Sequence, residues 1–120
     1  DMINAAKKGN NYTCFLDKNT ELPMMYIDDA ISSAITLMST KRINLSILGS
    51  YNITGFSITP KKLLNEIKSN GFNLKVNYKP DFRQKIANSW PKKIDDSFSR
   101  KDWGWNPKFG LKETIREALK

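Results

Sequence analysis

Residues Leu22–Met38 read LPMMYIDDAISSAITLM. The first six form an extended apolar run. Asp28-Asp29 then opens a helix in which Ala30, Ile31, Ala34, Ile35 and Met38 recur at helical spacing. Either aspartate can accept the free amide protons of the first turn and complement the helix dipole. A strand that runs straight into an amphipathic helix sets the expectation of a mixed α/β fold.

Working outward toward the N-terminus, Tyr12–Leu16 reads as a strand ending at the polar turn Asp17–Thr20. Met2, Ile3 and Ala6 share one helical face, which Gly9 and Asn10 stop. That face starts at full strength at residue 1, like the second half of a longer helix, so truncation of a longer protein is the expectation, with a frayed terminal helix as the alternative. Toward the C-terminus, Ile43–Ile53 is rich in β-branched residues and is expected to contain a strand. Thr59 caps the next helix, with Pro60 at its first position and Leu63, Leu64 and Ile67 facing inward; Gly71 ends it. Leu74, Val76 and Tyr78 alternate as a strand that Pro80 stops. Asp81 opens a short helix closed by Trp90-Pro91, Asp95-Asp96 opens another that stops at Gly104, and Leu111, Ile115, Ala118 and Leu119 mark a terminal helix. Trp103 and Trp105 are expected to pack that helix against the core. The few short strands make a doubtful free-standing sheet and read as part of something larger.

With 120 residues the chain has room for one modest domain, 1–120, without repeats or linkers. No apolar run is long enough to cross a bilayer. Cys14 is the single cysteine and histidine is absent, which excludes an intrachain disulfide, a Ser-His-Asp system and a histidine-ligated metal. Cys14, within a β-like run, reads as a small buried residue in a reducing, cytoplasmic setting. The net charge of +8 raises a nucleic-acid-binding module as one reading. Against it, the basic residues are mostly lysines scattered in pairs, alongside abundant Asn and Ile that reflect compositional bias.

The glycines, at 9, 49, 55, 71, 104 and 110, form neither a dinucleotide fingerprint nor a phosphate loop, and no tyrosine has a lysine four residues on. The carboxylate pairs Asp28-Asp29 and Asp95-Asp96 are explained by helix capping. Read from the residues alone, no catalytic constellation is present. Arg83 and Trp90 stand out because they lie in or beside a short helix between a strand and a proline, where side chains reach into a cleft. The arginine can clamp a carboxylate or phosphate bidentately; a surface arginine and a core tryptophan remain the alternative.

Taken in order, LPMMYIDDAI, SYNITGFSITP, YKPDFRQKIANSWPKKIDDS and DWGWNPKFGL resemble the C-terminal portion of the extended short-chain dehydrogenase/reductases, across essentially all of the chain. The shared elements are Tyr26-x-x-Asp29 opening a helix, Tyr51-Asn52 at the end of a strand, and Gly104-Trp105-x-Pro107 before the last helix. PMMY and PDFRQ-IA-SWP are similar to the threonine dehydrogenase subfamily in particular. Nucleotide-sugar epimerases and dehydratases of the wider family commonly carry Arg-Asp where this chain has Leu22-Pro23, which suits a small amino acid better than a diphosphate.

The resemblance implies a parent with an NAD-binding Rossmann part upstream of residue 1. That part would hold the cofactor and the Ser/Thr, Tyr and Lys that oxidise L-threonine, with no catalytic residue within these 120. This chain would contribute the substrate-side wall and lid to a homodimeric enzyme without nucleic-acid or membrane partners, and would be inactive alone. Trp90 would shape the substrate pocket, with Met24, Met25 and Tyr26 lining or supporting the same cleft. Arg83 would meet the substrate carboxylate or hold the lid segment. A nucleotide-sugar epimerase or dehydratase is the alternative parent.

Overall fold

A computed structural model describes all residues, Asp1–Lys120. In chain order it contains α1 (Met2–Lys7), β1 (Tyr12–Cys14), β2 (Leu22–Met24), α2 (Ile27–Ser39), a 3-10 turn at Arg42–Asn44, β3 (Phe56–Ile58), α3 (Pro60–Ser69), β4 (Val76–Tyr78), α4 (Arg83–Ser89), α5 (Ser97–Trp103) and α6 (Leu111–Leu119). The mixed α/β expectation holds.

The strands form two separate pairs rather than one sheet. β1 runs parallel to β4, with Tyr12 opposite Val76 and Cys14 opposite Tyr78. β2 runs antiparallel to β3, with Leu22 opposite Ile58 and Met24 opposite Phe56. Gly55, just before β3, lies so close to the Met24 carbonyl that a Cβ there would sit 2.8 Å from its oxygen. The Cα radius of gyration is 16.8 Å, against ~14 Å for a compact domain of this length. The chain forms a flat slab of 52 × 32 × 16 Å.

One part of the fold holds an apolar core. Met2, Ala6, Cys14, Ile67, Leu74, Ile115 and Leu119 bury against one another where α1, α3 and α6 meet the β1–β4 pair. Local chemistry builds this end as the sequence expects. The Thr59 hydroxyl accepts from the Lys62 amide, and Pro60 occupies the first turn of α3 without wasting a donor. Gly71, with φ of 88°, turns the chain away after α3. Cys14 is buried, as a small apolar residue would be.

The rest of the fold departs from expectation in four places. The apolar stripe of α2 faces solvent: Ile27, Ile31, Ile35 and Met38 are all more than half exposed. The residues that α2 buries are polar, Asp29 and Ser33. Neither aspartate caps the helix by a side-chain hydrogen bond; both still sit in the first turn, where the dipole favours them. Asp29 instead reaches across the fold and accepts from the Lys108 amide at 3.0 Å and the Phe109 amide at 2.9 Å. Part-buried amides outside regular structure are satisfied by such an acceptor, and a carboxylate with two oxygens serves both.

The strand expected within Ile43–Ile53, and at Tyr51-Asn52, does not form; the only regular structure there is the 3-10 turn. β-branched composition favours a pleated surface but needs a ladder partner, and none lies alongside. That segment is held by side chains. The Asp102 carboxylate accepts from the Ser46 amide at 2.9 Å, the Ser46 hydroxyl at 2.5 Å and the Tyr51 hydroxyl at 2.5 Å. The Ser99 hydroxyl donates to the Asn52 carbonyl. Trp103 and Trp105 are buried, but their recorded partners are each other, the Tyr51 ring and the Thr54 carbonyl, which takes the Trp105 indole proton. They pack α5 against the strandless segment, not α6 against the core. Gly104, at φ 69°, ends α5 in the left-handed conformation that glycine supplies without strain.

Candidate functional site at the helix between Pro80 and Pro91

The strand β4 stops at Pro80, and α4 follows, ending at Trp90. Asp81 begins the helix by accepting from the Arg83 amide at 2.9 Å. The Arg83 guanidinium closes on the same carboxylate, with Nε 3.1 Å from both oxygens and Nη2 2.6 Å from Oδ2. Its carbon lies 3.5 Å from the centre of the Phe15 ring, a stacked cation–π contact. The hydrogen bonds with Arg83 hold the Asp81 carboxyl below its ordinary range, and the same bonds push the arginine upward. Arg83 is thus occupied mainly in fixing α4 to the end of β1; Nη1 carries no protein partner.

Trp90 stands at the C-terminal end of α4 and is 56% exposed. Its ring borders two concavities. The first, about 170 Å³, is apolar and lies between α4 and the β1–β2 connection, walled by Phe15, Leu16, Leu22, Arg83, Ile86, Ala87 and Trp90. The second, about 470 Å³, is polar and open, with Asp17, Thr20, Glu21, Gln84, Asn88 and Lys92 on its walls beside Trp90. An aromatic face with two carboxylates, a lysine and amides around it suits a small zwitterion carrying one short apolar group.

Arg83 and Trp90 therefore meet at one apolar hollow. The other three sequence candidates lie elsewhere. Met24 and Met25 line a separate hollow of about 120 Å³ with Pro23, Ile53, Thr54 and Ile94. Met24 also borders an apolar hollow of about 250 Å³ beside Tyr12, Leu22 and Leu63. Tyr26 stacks on Phe109 at 4.5 Å between ring centres. With Asp29, three residues on, it fastens the segment before α6. Sequence reasoning missed Gln84, Asn88 and the turn Asp17–Glu21 as walls of the polar cleft. A glutamine on a short, charged helix carries no signal beyond solvation.

No group of three or more His, Cys, Asp or Glu residues is placed to hold a metal. This chain's own glycines form no phosphate cradle. Its positive-φ glycines are single turns after helices, and Gly55 is packed against the Met24 and Met25 backbone instead of opening a phosphate cradle.

No family model matches the chain. It is 40% identical over 119 residues to the mitochondrial L-threonine 3-dehydrogenase of Bos taurus, covering 98% of this chain and 32% of that protein. An uncharacterised epimerase/dehydratase of Staphylococcus haemolyticus is also 40% identical, over 96% of this chain and 37% of its own length. Among solved structures, the GalE-like L-threonine dehydrogenase from Cupriavidus necator, in its apo form, superposes with a TM-score of 0.95 at 46% identity. That match covers 99% of this chain and 43% of the other. The chain spans about a third of the length of the curated relatives it matches, and the matched part is their C-terminal one. Its fold is that of a C-terminal portion of an extended short-chain dehydrogenase. No helix is long and apolar enough to cross a membrane.

Proposed function

We propose that this chain, alike over nearly its full length to the C-terminal part of threonine dehydrogenases, is that part of an NAD-dependent L-threonine 3-dehydrogenase acting in threonine catabolism. The whole enzyme oxidises the secondary alcohol at C3 of L-threonine to the ketone of 2-amino-3-ketobutyrate, and this part supplies the substrate-side wall and lid. The observation that carries the reading is the TM-score of 0.95 at 46% identity with a threonine dehydrogenase.

NAD and the residues that take the alcohol proton belong to the upstream part. What these residues do is bind and shelter. Trp90 covers the substrate's short apolar end and keeps water from the reacting carbon. Arg83, held by Asp81 and Phe15, keeps α4 seated at the rim and offers Nη1 toward a carboxylate. Met24 and Met25 support the wall from the β2 side, and Tyr26 braces it through Phe109.

The solvent-facing stripe of α2 fits the same reading. Four large apolar residues on one helix face mark a contact surface, and the upstream part of the polypeptide is the partner proposed for it. The full-length enzyme is expected to form a homodimer in a cytoplasmic, reducing compartment that suits the single buried thiol of Cys14.

The test is turnover by the full-length protein, which should reduce NAD with L-threonine and not with UDP-glucose. Turnover of UDP-glucose in place of threonine overturns the reading in favour of a nucleotide-sugar enzyme. Trp90→Ala should lower kcat/KM for threonine by roughly tenfold or more, because a small misplacement of the substrate is expensive in rate. Calorimetry on the 120-residue chain should show no NAD binding.

A further inference from the structure

Apolar packing does not place α4. Ile86 and Trp90 are more than half exposed, Phe82 more so, and a hollow remains between the helix and Phe15, Leu16 and Leu22. A seven-residue helix is far too short to hold its own position in water. Its fastenings are polar. At the near end the Asp81 amide donates to the Phe15 carbonyl at 3.2 Å. Beyond the far end the Ser57 hydroxyl donates to the Lys92 carbonyl at 2.8 Å.

Between these ends stands Gln84. Its Oε1 accepts from the Asp17 amide at 2.7 Å and lies 3.2 Å from the Thr20 hydroxyl. Its Nε2 donates to the Thr20 hydroxyl at 2.9 Å and to the Asn88 side-chain oxygen at 2.7 Å. The turn it grips is already closed on itself: the Asn19 amide donates to the Asp17 carboxylate at 2.8 Å and the Thr20 amide to the Asp17 carbonyl at 3.1 Å. One amide group thus joins two segments 64 and 67 residues apart in sequence. The chemistry calls for an amide of this length. Oε1 must accept from a backbone N–H while Nε2 donates to Asn88, and glutamate supplies only the first of these.

We infer that Gln84 is a positioning residue, locking α4 to the Asp17–Thr20 turn and so fixing where Trp90 stands at the mouth of the cleft. The inference rests on the proposed reading of Trp90 as a substrate-pocket residue, and it makes the turn and the helix one wall rather than two movable ones. Asn88, one helical turn on from Gln84, keeps the amide in the orientation the turn requires.

The test uses the full-length protein and two readouts. In Gln84→Ala, hydrogen exchange at the Asp17 and Thr20 amides should quicken roughly fivefold, as loss of about one net hydrogen bond implies. The KM for L-threonine should rise roughly threefold to tenfold while the KM for NAD stays unchanged. Gln84→Glu retains the acceptor for the Asp17 amide, so exchange there should return toward the wild-type rate with an intermediate threonine KM. If Gln84→Ala does not fold, Gln84→Glu alone decides, its threonine KM being raised or not. Unchanged exchange, or quickened exchange with an unchanged threonine KM, overturns the positioning role. A wild-type protein that does not oxidise threonine defeats the proposed function instead, and the exchange readout still judges the lock.

Discussion

Two parts of the fold, an apolar end and a more polar one, are held together by different means. Where α1, α3 and α6 meet β1 and β4, the buried residues are Met2, Ala6, Cys14, Ile67, Leu74, Ile115 and Leu119, an apolar cluster throughout. Around α2 and α5 the buried polar residues gather instead: Asp29, Ser33, Asp96 and Ser99. Two carboxylates, Asp29 and Asp102, clasp irregular backbone there, and α2 turns its isoleucines to solvent. α2 and α3 both have apolar periodicity, yet only α3 finds its partner inside this chain. Periodicity therefore reports an apolar face and leaves open what, if anything, covers it.

The sharpest way to break the contrast is to remove one side chain from the apolar end. Ile67 is fully buried, and Ile67→Ala should cost about 2–5 kcal/mol through lost burial and the cavity left behind. The measurement is the shift of the denaturant midpoint. A loss below about 1 kcal/mol would mean that the cluster is loosely packed and that the two ends differ less than their burial suggests.

The equivalent cut at the polar end is Asp29→Ala. It leaves the Lys108 and Phe109 amides without an acceptor, at a cost of about 2–3 kcal/mol. Asp29→Asn should lose less, since its carbonyl oxygen still accepts from one amide while its NH2 group faces the other. Amide chemical shifts of Lys108 and Phe109 should move in both variants and those around Ile67 in neither. Movement at both ends would show the two regions to be coupled.

These two cuts also show what could be read from the residues alone. The apolar end was legible because its signals are local and its partners are present: Thr59-Pro60 starts α3, Gly71 follows it, and the stripes of α3 and α6 close on each other. At the polar end the start of α5 just after Asp95-Asp96 and its stop at Gly104, in the left-handed conformation, were legible. The direction of α2 was not, because a stripe of isoleucines looks the same whether its cover lies in the chain or outside it. Asp29 reads as a cap from its neighbours, whereas its partners lie 79 and 80 residues away. The missing strand near Tyr51 fails for the same reason, since strand propensity presumes a neighbour. In the candidate site, Arg83 and Trp90 were legible from their place between strand and proline. Their grouping with Met24, Met25 and Tyr26 came from the family resemblance, and the structure sets those three at other hollows and contacts. Gln84 was invisible, its meaning resting on a turn more than 60 residues earlier.

Acidification should separate the two ends further. Hydrogen bonds from the Ser46 and Tyr51 side chains, with that from the Ser46 amide, hold the Asp102 carboxyl below its ordinary value of 3.8. A carboxyl depressed on folding stabilises the folded state above its unfolded pKa, and that contribution fades as pH falls through the lower folded value. The clasp on the 46–51 segment should therefore be intact at neutral pH and open in the acid range, ahead of any change around Ile67. A pH titration followed at the Ser46 and Ile47 amides measures this. Asp102→Asn should abolish the transition at those amides; a transition that survives the substitution would assign it to another carboxylate.

The smallest effect within the 120-residue chain is the one that bears most on what the chain is for. Ile35 is 60% exposed in the middle of the α2 stripe, so Ile35→Ala should change the stability of this chain by less than about 0.5 kcal/mol. In the full-length protein the same substitution should cost about 2 kcal/mol or more if the upstream part covers the stripe, since a buried isoleucine then leaves a cavity. A charge is a harsher probe of the same point: Ile35→Asp should be tolerated in the short chain and should loosen the longer one, read as faster amide exchange along α2. Equal tolerance in both lengths would leave the stripe without its proposed cover, and the contrast between the two ends would then be a property of this fold alone rather than the imprint of a missing partner.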